Sequence, residues 1–346
     1  MSDVAALAGV SHQTVSRVLN DHPSVRATTR ERVIDAIATL GYRPNLAARA
    51  LVTRRTGTIG VITPATALFG PTSTLVAFEQ AARDSGYYVS VATLRDFTGG
   101  EVVAAVDHFL AQGVDGVAVV APSSGTVDAV GDVRVPVPVV LVSSGRKGAG
   151  LPTVAVDQVL GGRLATEHLL ATGRRRVAHV AGPQEWYDAR DRLRGWREAL
   201  QDAGLAVPEH VVAGWSASGG YAAGLDLVRG GLPDAVFAAN DQLALGLLAA
   251  FAEAGVRVPE DVAVVGFDDE PGTAFYAPPL TTVRQDFDEL GRRAVQVLAD
   301  ALGGSAPSRT PIAPELVVRR SSGAGARSGA GAVTGVGTAT AASEKV

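Results

Sequence analysis

From Thr58 to Val318, short β-branched runs alternate with longer helical stretches, and the cycle runs twice. Ile59–Ile62, Tyr88–Val91, Gly116–Val120 and Val139–Val142 read as strands, with helical patterns around 74–85, 101–112 and 126–131 between them. A second set follows at Val154–Val156, Val177–Val180, Val211–Ala213, Ala235–Ala238 and Val262–Val265. Strands alternating with helices imply parallel sheets, so the chain is of the α/β class. Two sets predict two doubly wound parallel-sheet lobes facing a cleft. Ligands of such folds sit beyond the carboxyl ends of the strands.

The first fifty residues follow a different rule. Val4, Leu7 and Ala8 stand at i, i+3, i+4, and Val15, Val18 and Leu19 repeat that spacing after Gly9-Val10. Gly9 suits a left-handed helix end, and Ser11 suits the cap of the next helix. Two short helices joined by a tight glycine turn form a helix-turn-helix, whose second helix enters the DNA major groove. His12, Gln13 and Arg17 lie outside its apolar stripe. Glutamine pairs bidentately with adenine and arginine with guanine. A third helix is expected from Thr28, where Thr28-Thr29-Arg30-Glu31 has the capping-box form. Val33, Ile34, Ile37 and Leu40 would form its buried face, and Gly41 its end. Ser2 is the cap at hand for the first helix, unless the chain starts further upstream.

Charge separates this head from the body. Residues 1–56 hold eight Lys and Arg against four Asp and Glu, a net +4. The whole chain carries −4, which leaves −8 for the remainder. A basic head on an acidic body suits attraction to phosphate; the plain alternative is a generic three-helix bundle.

Ala8-Gly9-Val10-Ser11, Thr14–Asn20, Thr29–Val33 and Gly41–Asn45 together resemble the headpiece of the lac repressor (LacI) family. The likeness continues to about residue 322. It implies a helix-turn-helix DNA-binding headpiece over residues 1–44 and a hinge helix and linker over 45–56. A two-lobed, effector-binding and dimerising core of the periplasmic-binding-protein-like, type I kind would cover 57–322. It further implies that Asn20, Thr29, Tyr42 and Asn45 join His12, Gln13 and Arg17 at the DNA. Asn45 to Thr53 is only about two helical turns, and so short a helix is marginal in water. In the family it orders on DNA, and the leucine matching Leu51 wedges into the minor groove. The alternative is a plain linker with Leu51 packed on the next domain.

Three clusters follow strands of the second set. They are Ala181-Gly182-Pro183 with Trp186, Arg190, Arg192 and Trp196; Asn240-Asp241-Gln242; and Gly266-Phe267-Asp268-Asp269, followed by Pro278–Phe287. Directional donors and acceptors with an aromatic face suit a polyol. The resemblance implies that Arg192, Asn240 and Asp268 hold hydroxyls, that Trp215 and Phe287 flank a sugar ring, and that Leu68 and Pro71 line the first-lobe side. Ser143 stands where the resemblance calls for an aspartate at the cleft, which alters which hydroxyls are held. A small sugar effector is expected, a β-galactoside first, acting as inducer or as corepressor. On local grounds Asn240 and Asp268 are also ordinary turn formers at strand ends. Trp186, Trp196 and His179 read as core, and Arg174-Arg175-Arg176 as a solvated turn.

Other classes are excluded or outcompeted. There is no cysteine, hence no disulfide framework, thiolate metal site or cysteine nucleophile. No apolar run reaches the roughly 20 residues of a membrane helix, and no secretory signal precedes the first helix. The chain reads as soluble and cytoplasmic. Gly214–Ser218 misses the closing glycine of a nucleophile elbow, and neither a phosphate loop nor a metal-ligand histidine pair is present. No enzyme and no cofactor is expected. A secreted sugar-binding protein would share the core and lack the head. Residues 323–346 are mostly Gly, Ala, Ser and Thr without apolar periodicity and read as a disordered tail. They carry no leucine heptads for a tetramer. A homodimer on a pseudo-palindromic, double-stranded operator is therefore expected.

Overall fold

The computed structural model describes residues 1–19, 22–42, 55–95, 98–121, 123, 135–144, 151–303 and 311–323. The helical pattern around 126–131, the hinge segment 45–53 and the tail from 324 lie outside the described residues.

Three helices form the head: α1 (Ser2–Ala8), α2 (His12–Leu19) and α3 (Ala27–Leu40). Gly9 and Gly41 both take the left-handed conformation, at φ 63° and 55°, and so end α1 and α3 as expected. The Ser11 hydroxyl accepts from the Thr14 N–H and caps α2. The capping box does not form. Helix α3 starts at Ala27, one residue before Thr28, and its cap position, Arg26, makes no side-chain bond. Ser2 likewise lies inside α1 and caps nothing. Val4, Ala5, Ala8, Val15, Val18, Val33 and Ala36 make the small core. Leu7, Ile34 and Leu40, expected inside, are exposed. Three short helices cannot bury every large side chain of their apolar faces, so alanines fill the tight crossings.

The first lobe is a five-stranded, all-parallel sheet in the order β2-β1-β3-β4-β5. Its strands are β1 (Thr58–Pro64), β2 (Tyr88–Leu94), β3 (Gly116–Val120), β4 (Val139–Val142) and β5 (Thr153–Val154), with helices α4 (Phe69–Asp84) and α5 (Gly99–Gln112). Strands β3 and β4 are buried along their whole length, which is why they read as unbroken apolar runs. The second lobe has six strands in the order β11-β10-β9-β8-β6-β7. These are β6 (Val177–Ala181), β7 (Val211–Val212), β8 (Ala235–Ala238), β9 (Ala263–Asp268), β10 (Thr281–Arg284) and β11 (Glu315–Val317), all parallel except β11. Its helices are α6 (Gln158–Ala171), α7 (Tyr187–Asp202), α8 (Ala217–Gly230) and α9 (Asp241–Glu253).

Two assignments differ from the sequence reading. Thr153–Val154 hydrogen-bonds to β4 and so closes the first sheet, although the sequence places Val154–Val156 in the second set. Strand β10 is an additional central strand whose Thr281 and Thr282 are fully buried; its two threonines hide it from an apolar-run search. The chain crosses between lobes near residues 155–158 and 285–287 and returns before β11, where Ile312 bridges to Val156. The helix α10 (Phe287–Leu302) accordingly packs on the first lobe, with Leu290, Ala294, Val295 and Leu298 against Ile59, Val61 and Phe78.

Glycines set the closest helix approaches. A Cβ at Gly162 of α6 would collide with the Arg192 carbonyl of α7, and one at Gly195 of α7 with the Val159 carbonyl of α6. The two helices thus meet backbone to backbone. Asp115 fixes the chain's entry into the core: its carboxylate accepts from the Thr56 and Gly57 N–H groups, both at 2.9 Å. Among the described residues, no helix is long and apolar enough to cross a membrane.

Candidate functional site

A cleft of about 720 Å³ opens between the lobes. Leu68, Pro71, Ser143, Arg192, Trp215, Asn240, Asp268 and Phe287, the eight residues singled out for the effector, all line it. They are spread over some 220 positions of the chain and converge because both sheets present their strand ends here.

The second lobe supplies the charge. Arg192 is almost wholly buried on α7. Its Nε donates to Gln158 at 2.8 Å, and Nη1 donates to the Ala239 carbonyl at 2.5 Å. The guanidinium lies 3.8 Å from the centre of the Phe267 ring, stacked on its face. Nη2 sits between two carboxylates, 3.5 Å from Asp268 and 4.0 Å from Asp188. Gln158 donates to Gln285 at 2.7 Å, and Gln285 donates to Asp268 Oδ1 at 2.7 Å. Arg192, Gln158, Gln285 and Asp268 therefore close a buried ring. Both glutamines sit beside crossovers between the lobes. Burial pushes the Asp268 carboxyl up to about 7; Arg192 and the Gln285 hydrogen bond pull it down, and Glu270 and Asp188 add to the rise. Asp268 also holds a positive φ of 109° at the end of β9, an uncommon conformation for a non-glycine residue.

Asn240 has a structural duty. Its Oδ1 caps α9 by accepting from the Leu243 N–H, and its Nδ2 donates to the Trp215 carbonyl. The Trp215 ring lies over Gly182, where any Cβ would strike it. Its buried indole N–H has no partner among the described residues. Trp186 stands edge-on to Trp215 at 5.6 Å and lines the cleft, so it is not the core residue that the sequence suggests. Trp196 and His179 are core, as expected. Trp196 donates to the Val177 carbonyl, and His179 stacks on Phe237 at 4.6 Å with burial holding its pKa down at about 3. Arg176 of the predicted turn pairs with Asp234 in solvent.

The first lobe supplies a wall. Leu68, Phe69, Pro71 and Phe287 face the cleft, with Phe69 edge-on to Phe287 at 5.6 Å. Ser143 is buried at the end of β4. Ser144 beside it donates to Asp188 of the opposite lobe at 2.5 Å. Gln158, Gln285, Asp188 and Ser144 escaped the sequence reading. Only Gln285 carried a signal, as part of the Pro278–Phe287 segment.

On the head, His12, Gln13 and Arg17 are exposed on α2, the first two in its first turn and Arg17 in its last. Thr29 is half-buried in α3, and Tyr42 packs against the head's core. Asn20, Asn45 and Leu51 lie outside the described residues.

The arrangement is mirrored in known proteins. Residues 1–45 match the pattern "Bacterial regulatory proteins, lacI family", and residues 166–322 match "Periplasmic binding protein-like domain". The chain is 36% identical to the lactose operon repressor of Escherichia coli (strain K12), over 92% of this chain and 89% of that protein. It is 38% identical to the HTH-type transcriptional regulator CelR of Thermobifida fusca, over 92% and 96%. Among solved structures, the lac repressor dimer bound to operator and the anti-inducer ONPF superposes with a TM-score of 0.81 at 34% identity, covering 92% of this chain and 98% of that one. A basic three-helix head joined to two parallel-sheet lobes with a polar cleft has its explanation in that kinship: the chain belongs to the lacI family of bacterial regulatory proteins, as a DNA-binding transcriptional regulator.

Proposed function

We propose that the chain is a homodimeric repressor that releases its operator when a neutral saccharide, a β-galactoside first among candidates, occupies the cleft. The observation that carries this reading is a set of polar side chains that line one cleft and keep atoms without a short hydrogen bond. The Trp215 N–H, Arg192 Nη2 and Asp268 Oδ2 have no short hydrogen bond among the described residues. Around them stand two tryptophans and an apolar wall. Hydroxyls satisfy such atoms, and a ring's C–H face covers the aromatics. The operon named for the Escherichia coli relative is the lactose operon, which favours a galactoside.

His12, Gln13 and Arg17 would read base edges, and Asn20, Thr29, Tyr42 and Asn45 would position the head. Leu51 would wedge the minor groove. Sugar draws the lobes together, and the linkers, which enter each core at the Thr56–Gly57 anchor on Asp115, shift with the first lobe. The short hinge helices then lose their partner. By linkage, operator weakens sugar binding by the same factor that sugar weakens operator binding.

A gel shift on the chain's own upstream DNA tests this, with lactose, methyl β-galactoside and cellobiose added separately. Release by one of them is expected; tightening instead would mark a corepressor, and no selective binding to that DNA would end the reading. Arg17→Ala should cost about 1–3 kcal/mol and relax base preference at one position of each half-site. Unchanged preference would assign Arg17 to the phosphate backbone.

A further inference from the structure

Among the described lining residues of the cleft, every charged one comes from the second lobe: Asp188, Arg192 and Asp268. The first lobe offers Ser143 and Ser144 at the end of β4 and no carboxylate. Asp188 stands apart from the buried ring below it. Its side chain is 34% exposed, on the first turn of α7, and it faces the opposite lobe. Its Oδ1 accepts the Ser144 hydroxyl across the cleft, while Oδ2 lies 4.0 Å from Arg192 Nη2. A first-turn carboxylate is favourable to a helix on its own account. The helix, however, does not explain why a hydroxyl from the other lobe is brought to it, nor why the guanidinium nitrogen without a short bond is aimed between it and Asp268.

We propose that Asp188 is a specificity-determining ligand contact. Its carboxylate accepts one hydroxyl of the bound saccharide beside Arg192 Nη2, and the Ser144 hydroxyl holds it in place from across the cleft. It thereby provides, from the second lobe, a carboxylate where the first lobe has only the Ser143 hydroxyl. This rests on the saccharide reading of the cleft. Two consequences separate Asp188 from Asp268. Asp268 is fixed from beneath by Gln285, so it selects the same hydroxyl whether the lobes are apart or together. Asp188 is fixed by Ser144, so its contact is complete only when the lobes are close, and it contributes to lobe closure as well as to selection.

The experiment is calorimetric titration of the full-length protein with lactose, methyl β-galactoside and cellobiose, for the wild type, Asp188→Asn, Asp188→Ala and Ser144→Ala. The monodeoxy analogues of whichever sugar binds are titrated too. Asp188→Asn should weaken that sugar roughly 10- to 100-fold, the range of a hydrogen bond to a charged group. One deoxy analogue should bind wild type and Asp188→Asn alike, since the partner hydroxyl is already gone. Ser144→Ala should show a smaller loss of the same selectivity. A merely structural role would weaken every analogue equally, and that result overturns the proposal. So does binding by Asp188→Asn within about twofold of wild type. Should the wild type bind none of the three sugars, the saccharide reading fails and the proposal falls with it; binding by the wild type with an indifferent Asp188→Asn sinks the proposal alone.

Discussion

The two lobes share a topology and face one cleft, yet they equip it differently. The second lobe presents side chains whose hydrogen bonds are largely committed before any ligand arrives: Arg192 on Gln158 and Ala239, Asp268 on Gln285, Asn240 on its own helix. The first presents an apolar wall of Leu68, Phe69, Pro71 and Phe287, with Ser143 and Ser144 at its edge. A preorganised polar plate opposite an apolar wall assigns orientation to one side and desolvation to the other. The difference predicts that damage to the second lobe's polar plate changes what is sensed, while damage to the apolar wall changes how tightly.

The largest effect should come from Asp268→Ala. It leaves the Arg192 guanidinium buried without its nearest carboxylate, and breaking a buried pair typically costs about 3–5 kcal/mol. Denaturant unfolding should show that loss, and the variant, where folded, should hold operator in the presence of sugar. Normal release would take Asp268 out of the site and undo the contrast. Next is Trp215→Ala, which removes a ring face and an indole donor together. Sugar affinity should fall by roughly 30-fold, equivalent to about 2 kcal/mol, and the order of preference among sugars should change. Phe287→Ala should cost about 1 kcal/mol of binding and leave that order intact; a reordering would show that the first lobe selects as well as covers.

The smallest effect is in pH. The raised Asp268 pKa means that the folded chain holds this proton more tightly than the unfolded chain, whose carboxyl titrates near 3.8. Its stabilising contribution is complete below that value and is lost as pH rises through about 7. A hydroxyl donated to the ionised carboxylate pulls the other way, so sugar should bind a few-fold tighter as pH climbs through the same window, releasing a proton. Calorimetry in buffers of different ionisation enthalpy measures that proton; none released would place the ligand elsewhere than on Asp268.

The same division decided what could be read without coordinates. Strand runs such as Gly116–Val120 announce themselves because both their faces are buried, and Arg192, Asn240 and Asp268 stand out because they follow such runs. Gln158 and Gln285 do not, since a glutamine beside a crossover looks like any polar connector until the fold joins two of them 127 positions apart. Trp186 was misread because its partner, Trp215, is 29 positions downstream and the edge-on pairing belongs to tertiary structure. The capping box at Thr28 failed for a local reason: α3 gains a residue at Ala27, and the threonine is swept inside the helix.

The backbone-to-backbone meeting of α6 and α7 has a consequence for the cleft. Gln158 rides on one of these helices and Arg192 on the other, and Gly162 and Gly195 let them touch. The location of the sensor's cation is thus governed by two missing methyl groups at positions that no ligand reaches. Adding either one, an apolar change of a single carbon, would push the helices apart and detune recognition through the scaffold alone.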